Sequence, residues 1–212
     1  MKKLLLIIAT LTLSVSTANA DIIWDQSAID PAGNNYMDSY SIGPWGDVIV
    51  YGASDFNLDV DATITSVTTF YTNTGEWAPG NYDALLDIYV KTGPTPVTGV
   101  DDPLATGITV PVTLTDTGNG SLALNASGLG IALAAGQYWI MLSPTVPDGP
   151  GFREFHYATD TSVLDNSAWI EFGGMFPPAW APRNVDGTLL IEGDFVVSTE
   201  AVTFGNVKSL FR

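Results

Sequence analysis

The 212-residue chain contains no cysteine and only one histidine, His156. The absence of thiols excludes disulfides, thiolate metal sites and cysteine nucleophiles. A Ser-His-Asp triad would have to use His156, and no G-x-S-x-G nucleophile motif occurs in the sequence. We therefore predict that the chain is not an enzyme.

Basic residues are also scarce. The chain has 7 Lys and Arg against 23 Asp and Glu, which gives a formal net charge of −16. Such a field repels nucleic acids and anionic surfaces, so we expect no nucleic-acid partner. Since 46% of the residues are hydrophobic and only 14% are charged, the composition excludes an acidic disordered tail and permits a sizeable core.

The first 20 residues have the composition of a bacterial signal peptide. Lys2 and Lys3 precede the apolar run Leu4–Leu13, and the small residues Ala18-Asn19-Ala20 follow it. We predict that residues 1–20 are a leader that is cleaved before Asp21, and that the product is secreted or held at the cell surface. The apolar runs are too short for a membrane span, so none is expected.

Short runs rich in Val, Ile, Thr, Tyr and Phe, separated by many of the 21 Gly and 13 Pro, indicate an all-β chain. The run Leu85–Val90 alternates clearly, Asn119-Gly120 predicts a tight hairpin, and Gln137–Ser143 is apolar enough to be buried on both faces. About eleven strands over residues 21–198 predict a two-sheet β-sandwich with jelly-roll-like topology. A closed barrel is the alternative.

Residues 199–212 form a tail of different character. Phe204, Val207, Leu210 and Phe211 recur near helical spacing, and basic residues follow toward the C-terminal end. The pattern predicts a short C-terminal helix. The alternative is a docking or sorting tail.

The chain resembles exported bacterial β-sandwich proteins of unassigned function, some of which carry C-terminal sorting tails. The resemblance rests on strand and turn segments spread over most of the chain: Ile23–Gln26, Asn34–Ser39, Ala53–Phe56, Ile64–Val67, Leu86–Tyr89, Gly136–Ile140, Glu154–His156 and Leu190–Gly193. It implies a jelly-roll-like exported module and no reaction. The tail lacks the Pro-Glu-Pro motif, apolar span and basic cluster of exosortase-type signals.

Aromatic residues in loops suggest a ligand-binding face. Trp77 and Trp180 lie in Gly- and Pro-containing loop sequences, where aromatic rings tend to be exposed and can stack on the apolar face of a sugar ring. The predicted contact residues are Trp77, Tyr82, Trp169, Phe176 and Trp180. The alternative is that these rings are buried and fix the loops to the sheet.

Clustered aspartates near predicted strand ends could supply oxygen ligands for a structural calcium ion. The predicted ligands are Asp59, Asp61, Asp101 and Asp102, with a solvated acidic surface as the alternative. Glu192 and Asp194, two apart in one strand, raise the weaker possibility of a glycoside hydrolase.

The sequence favours a non-enzymatic exported module that binds a glycan or another extracellular surface through loop aromatics. The second hypothesis is a structural or matrix protein of the cell envelope that assembles through sheet edges or through its C-terminal tail.

Overall fold

The computed structural model of the protein describes residues 20–41, 49–73, 77–144, 152–159, 164–172 and 178–196. Residues 1–19 of the predicted leader, the predicted C-terminal helix and Phe176 lie outside these residues. The described part is all-β and antiparallel, with one short helix, which confirms the predicted fold class. Its elements are β1 Asp21–Gln26, β2 Asn35–Ser41, β3 Ile49–Leu58, β4 Ala62–Thr72, β5 Gly80–Val90, α1 Pro103–Thr106, β6 Ile108–Gly118, β7 Ser121–Leu133, β8 Gly136–Pro144, β9 Phe152–Tyr157, β10 Ala168–Phe172, β11 Ala181–Pro182 and β12 Leu189–Phe195.

Twelve strands of the described chain join in one hydrogen-bonded network. Ten of them follow the order β1-β12-β4-β7-β6-β5-β8-β3-β10-β11, while β9 pairs with both β2 and β4. Three strands separate β4 from β8 in this order, yet the Tyr71 hydroxyl on β4 donates a hydrogen bond of 3.1 Å to the Leu142 carbonyl on β8. The sheet therefore curls around a shared core.

The main core lies inside this curl and draws residues from seven strands. Its largest fully buried members include Tyr71, Phe56, Ile64 and Leu124. A second, smaller cluster occupies the opposite face of β3, β5 and β8, and contains Tyr51, Ala53, Tyr89, Trp139, Met141, Ala168, Ile170 and Trp180. Alternate residues of β8 enter the two clusters, which confirms that this strand is buried on both faces.

The predicted hairpin joins β6 to β7. Asn119 has a φ of 56° and Gly120 a φ of 78°, the left-handed values that a tight hairpin turn requires. Two strands are longer than the sequence predicts. The strands predicted at Asp47–Tyr51 and Ser54–Leu58 are joined in β3, and those predicted at Ser121–Asn125 and Ile131–Leu133 are joined in β7, which pairs with β4 as far as Leu133. The strand β1 was not predicted.

Gly193 permits β12 to lie close to β4 and β1. A β-carbon at this position would overlap the Thr63 carbonyl oxygen and lie 2.7 Å from Ile23 Cδ1. We expect Gly193→Ala to lower the free energy of unfolding by about 2 to 3 kcal/mol, since backbone has to move to admit the methyl group. Gly130→Ala is the matched control, because Gly130 is exposed in β7 with no heavy atom within 4 Å of the added carbon. Equal denaturation midpoints for the two variants would contradict this account.

Candidate functional site

Trp77 and Trp180 are both buried, so the expectation that they form exposed platforms is wrong. Trp77 is 3% exposed and its ring meets Tyr71 and Tyr82 edge-on, at centroid distances of 5.7 and 5.6 Å. Trp180 is 7% exposed, and its indole N–H donates to the Asp101 carbonyl over 2.7 Å. Each indole fixes its loop to the sheet, because burial of so large an apolar ring lowers the free energy relative to its exposure to water.

The other predicted contact residues are placed differently. Tyr82 is half-buried against the main core, and its hydroxyl donates to the Ala78 carbonyl over 2.7 Å. Trp169 is half-buried on β10, where the directly paired residue of β3 is Gly52. Gly52 contributes only backbone at this position, and on the other side of β10 Trp169 is paired with Ala181 of β11. Among the predicted aromatics that the structure describes, Trp169 and Tyr82 are the two that are half-buried rather than buried.

Trp169 lies beside charged groups. The guanidinium carbon of Arg183 is 5.9 Å from the centroid of the indole ring, within the range of a cation–π contact. Glu171 follows two residues later on β10 and is also half-buried, so strand alternation places it on the same face of the sheet as Trp169. Ala168 and Ile170 face the second cluster instead. The structure thus places a half-buried indole and a carboxylate close together on β10, with the guanidinium over the indole ring.

The four aspartates predicted to bind calcium each accept a hydrogen bond within the fold, three from backbone N–H groups and Asp59 from the side-chain amide of Asn57. Asp61 accepts from the Ala135 N–H over 2.8 Å and Asp101 from the Val97 N–H over 2.6 Å. Asp102 caps α1 through the Leu104 N–H, while Asp59 accepts from the Asn57 amide. No group of three or more His, Cys, Asp or Glu side chains that could hold a metal ion occurs in the described ranges. Calcium binding by these aspartates stays a prediction, and the arrangement of the described residues does not support it.

His156 is buried and engaged. Its ring stacks on Tyr71 at 5.1 Å, and Nε2 lies 2.8 Å from the Thr188 carbonyl oxygen. Of the two strand carboxylates, Glu192 is half-buried and Asp194 is exposed. A register shift between Glu192 and Gly193 interrupts the simple alternation that was expected to place them together.

The sequence did not single out a buried ion pair between Asp55 and Lys91. The Asp55 side chain is fully buried and that of Lys91 is 7% exposed, and their charged groups are in contact. The Lys91 ammonium also pairs with Asp165 at 2.7 Å and lies 4.7 Å from the centroid of the Trp139 ring. Asp55 accepts a further hydrogen bond of 3.0 Å from the Asp165 N–H. These bonds attach the segment preceding β10 to β3 and β5.

Burial and the contacts within this pair shift the pKa values of both groups. It raises the pKa of Asp55 above its usual range, although the hydrogen bond from Lys91 acts in the opposite direction. Burial alone would lower the pKa of Lys91, but hydrogen bonds and attraction to Asp165 and Asp55 leave that pKa raised. The Oδ1 atom of Asp55 has no hydrogen-bond partner within the described part of the chain. Asp55 therefore depends on Lys91 for compensation of its charge.

A second buried carboxylate, Asp186, belongs to a short polar chain. The Gln26 amide donates to Asp186 over 2.9 Å, and the Trp24 indole N–H donates to the Gln26 oxygen over 2.8 Å. The Gly187 N–H donates to the other Asp186 oxygen over 2.9 Å. Burial, with the nearby negative charge of Asp55, raises the pKa of Asp186 to about 7. This chain joins β1 to the segment that enters β12.

No family model matches this chain, and no curated protein matches it. Among the described residues, no helix is both long and apolar enough to cross a membrane.

We expect Lys91→Met to lower the free energy of unfolding by about 3 to 5 kcal/mol, because it leaves the Asp55 charge buried without its partner. The double variant Lys91→Met/Asp55→Asn is the matched control and should recover part of that loss. Urea denaturation of the wild type, both single variants and the double variant measures the coupling. Additive losses would show that the two groups do not act as a pair.

Asp186 makes stability depend on pH. Its pKa of about 7 in the folded chain exceeds the ordinary value near 4 of an unfolded chain, so the folded state holds the proton more tightly. Between pH 4 and 7 the unfolded chain ionises first and stability falls, by roughly 4 kcal/mol at most, and it stays at the lower level above pH 7. Asp186→Asn should flatten this fall relative to the wild type. Parallel curves of unfolding free energy against pH for the two proteins would refute the assignment.

Proposed function

We propose that this chain is an exported, non-catalytic β-sandwich module with jelly-roll-like topology, and that it binds an uncharged glycan through the sheet face that carries Trp169. The observation that carries the proposal is the group formed by Trp169, Arg183 and Glu171 on one face of β10. An indole can stack on the C–H face of a sugar, while guanidinium and carboxylate groups donate to and accept from its hydroxyls.

Charge narrows the class of ligand. With a net charge of −16, the chain repels polyanions over the range of a Debye length. A neutral polysaccharide avoids this cost and gains from stacking and hydrogen bonds. The leader sequence supports a location outside the cytoplasm, either secreted or at the cell surface.

The two strands at the ends of the strand order give little support to the rival hypothesis of assembly through sheet edges. β1 has only six residues and its pairing with β12 contains a register shift. At the other end of the strand order, β11 has two residues and includes Pro182. Short strands, irregular pairing and proline are the features that protect an edge from adding further strands.

The test is a glycan array probed with the full chain, its Trp169→Ala variant and a Val90→Ala control. Loss of Trp169 should weaken binding about tenfold or more, which corresponds to at least 1.4 kcal/mol. Val90 is 65% exposed in β5, so its variant should bind like the wild type.

Running the array with calcium and with a chelator tests the calcium prediction in the same experiment. Melting curves establish that each variant is folded. Binding that survives Trp169→Ala, or no binding by the folded wild type to any neutral glycan, would count against the proposal.

A further inference from the structure

An apolar groove of about 340 Å³ opens at one end of the described sheet. The apolar side chains that line it belong to Ile23, Trp24, Leu58, Val60 and Phe195, and Asn57 and Asp59 complete the lining. Val60 is 48% exposed and Phe195 is 38% exposed. Large apolar side chains exposed together in a concave site indicate an interaction surface.

The groove lies where the chain leaves the sheet. Phe195 is the last residue of β12, and the next residue, Val196, is 52% exposed and donates its N–H to the Asp61 carbonyl over 2.8 Å. Residues 197–212 therefore start beside the groove. Phe204 is eight positions beyond Val196, a reach of about 28 Å when extended, which is ample for a return to the groove.

The sequence of the tail complements this surface. After Glu200 it has no acidic residue, and it contains the apolar residues Phe204, Leu210 and Phe211 together with Lys208 and Arg212. The groove offers apolar contacts and the carboxylate of Asp59 at its rim, and the whole chain is strongly acidic. Apolar and charge complementarity thus point to the same occupant.

We infer that the apolar groove between β1 and the β3–β4 turn is a docking site for the chain's own C-terminal tail, residues 197–212. The attachment at Val196 makes docking intramolecular, with an effective concentration in the millimolar range for a short linker. Such a concentration allows even a weak apolar contact to be occupied. The inference is independent of the proposed glycan site, which lies on β10.

The absence of cysteine makes the test direct. Val60→Cys at the groove rim and Ser209→Cys in the tail introduce the two thiols of the full chain, which a short bismaleimide can join. The distance control pairs Ser209→Cys with Thr115→Cys. Thr115 is exposed on β6 beside the β6–β7 hairpin, at the end of the sheet remote from the groove. Unchanged melting temperatures establish that the double variants are folded.

Tethering alone could bring the tail near the groove, so a second control removes only the apolar contacts. The substitutions Phe204→Ser, Leu210→Ser and Phe211→Ser keep the length and charge of the tail. Docking predicts an intramolecular crosslink from residue 60 that is independent of protein concentration, about tenfold more abundant than that from residue 115, and reduced about tenfold by the serine substitutions.

Three results would overturn the inference. Equal yields with and without the serine substitutions would mean proximity without docking. Crosslinked dimers that increase with protein concentration would assign the groove to the tail of a second copy. Absence of the crosslink from residue 60 would leave the groove to an occupant other than the tail.

Discussion

The described structure depends on β8 being apolar on both faces. A strand of this kind is stable only if two separate layers cover it, because each uncovered apolar face would cost free energy in water. The curl of the sheet covers the face that carries Ile140 and Leu142. The face that carries Trp139 and Met141 is covered by β10 and by the loop that holds Trp180. The two clusters follow from this requirement.

The second layer is small, and charged groups complete it. Asp55 and Lys91 lie at its edge, where the ammonium rests on the Trp139 ring and binds Asp165. A buried ion pair adds little net stability compared with apolar packing, but it penalises any arrangement that separates the partners. The pair therefore specifies where the segment before β10 attaches to the sheet. Asp186, through Gln26, has the same role at β1.

Alternation and turn chemistry predicted the fold class, the hairpin at Asn119 and the double burial of β8, because these signals are local. The sequence left open whether Trp180 is exposed or buried, since its hydrogen-bond partner Asp101 is 79 residues away. The role of the buried Asp55 also depends on a distant partner. Within its strand Asp55 resembles any polar residue, and its role comes from its ion pair with Lys91. The surroundings of Trp169 depend on its pairing with Gly52 of β3, and sequence spacing does not reveal that pairing.

The placement of positive charge connects these features. Lys91 and Arg183 are the two cations whose side chains lie in the described part of the chain, and they contact Trp139 and Trp169 respectively. With these cations held against indole rings, carboxylates are the other charged side chains in the described part of the chain. The proposed glycan would then be held by stacking and hydrogen bonds rather than by charge attraction. The same field attracts a basic segment, so the acidity that excludes polyanions from the sheet favours the chain's own tail at the groove.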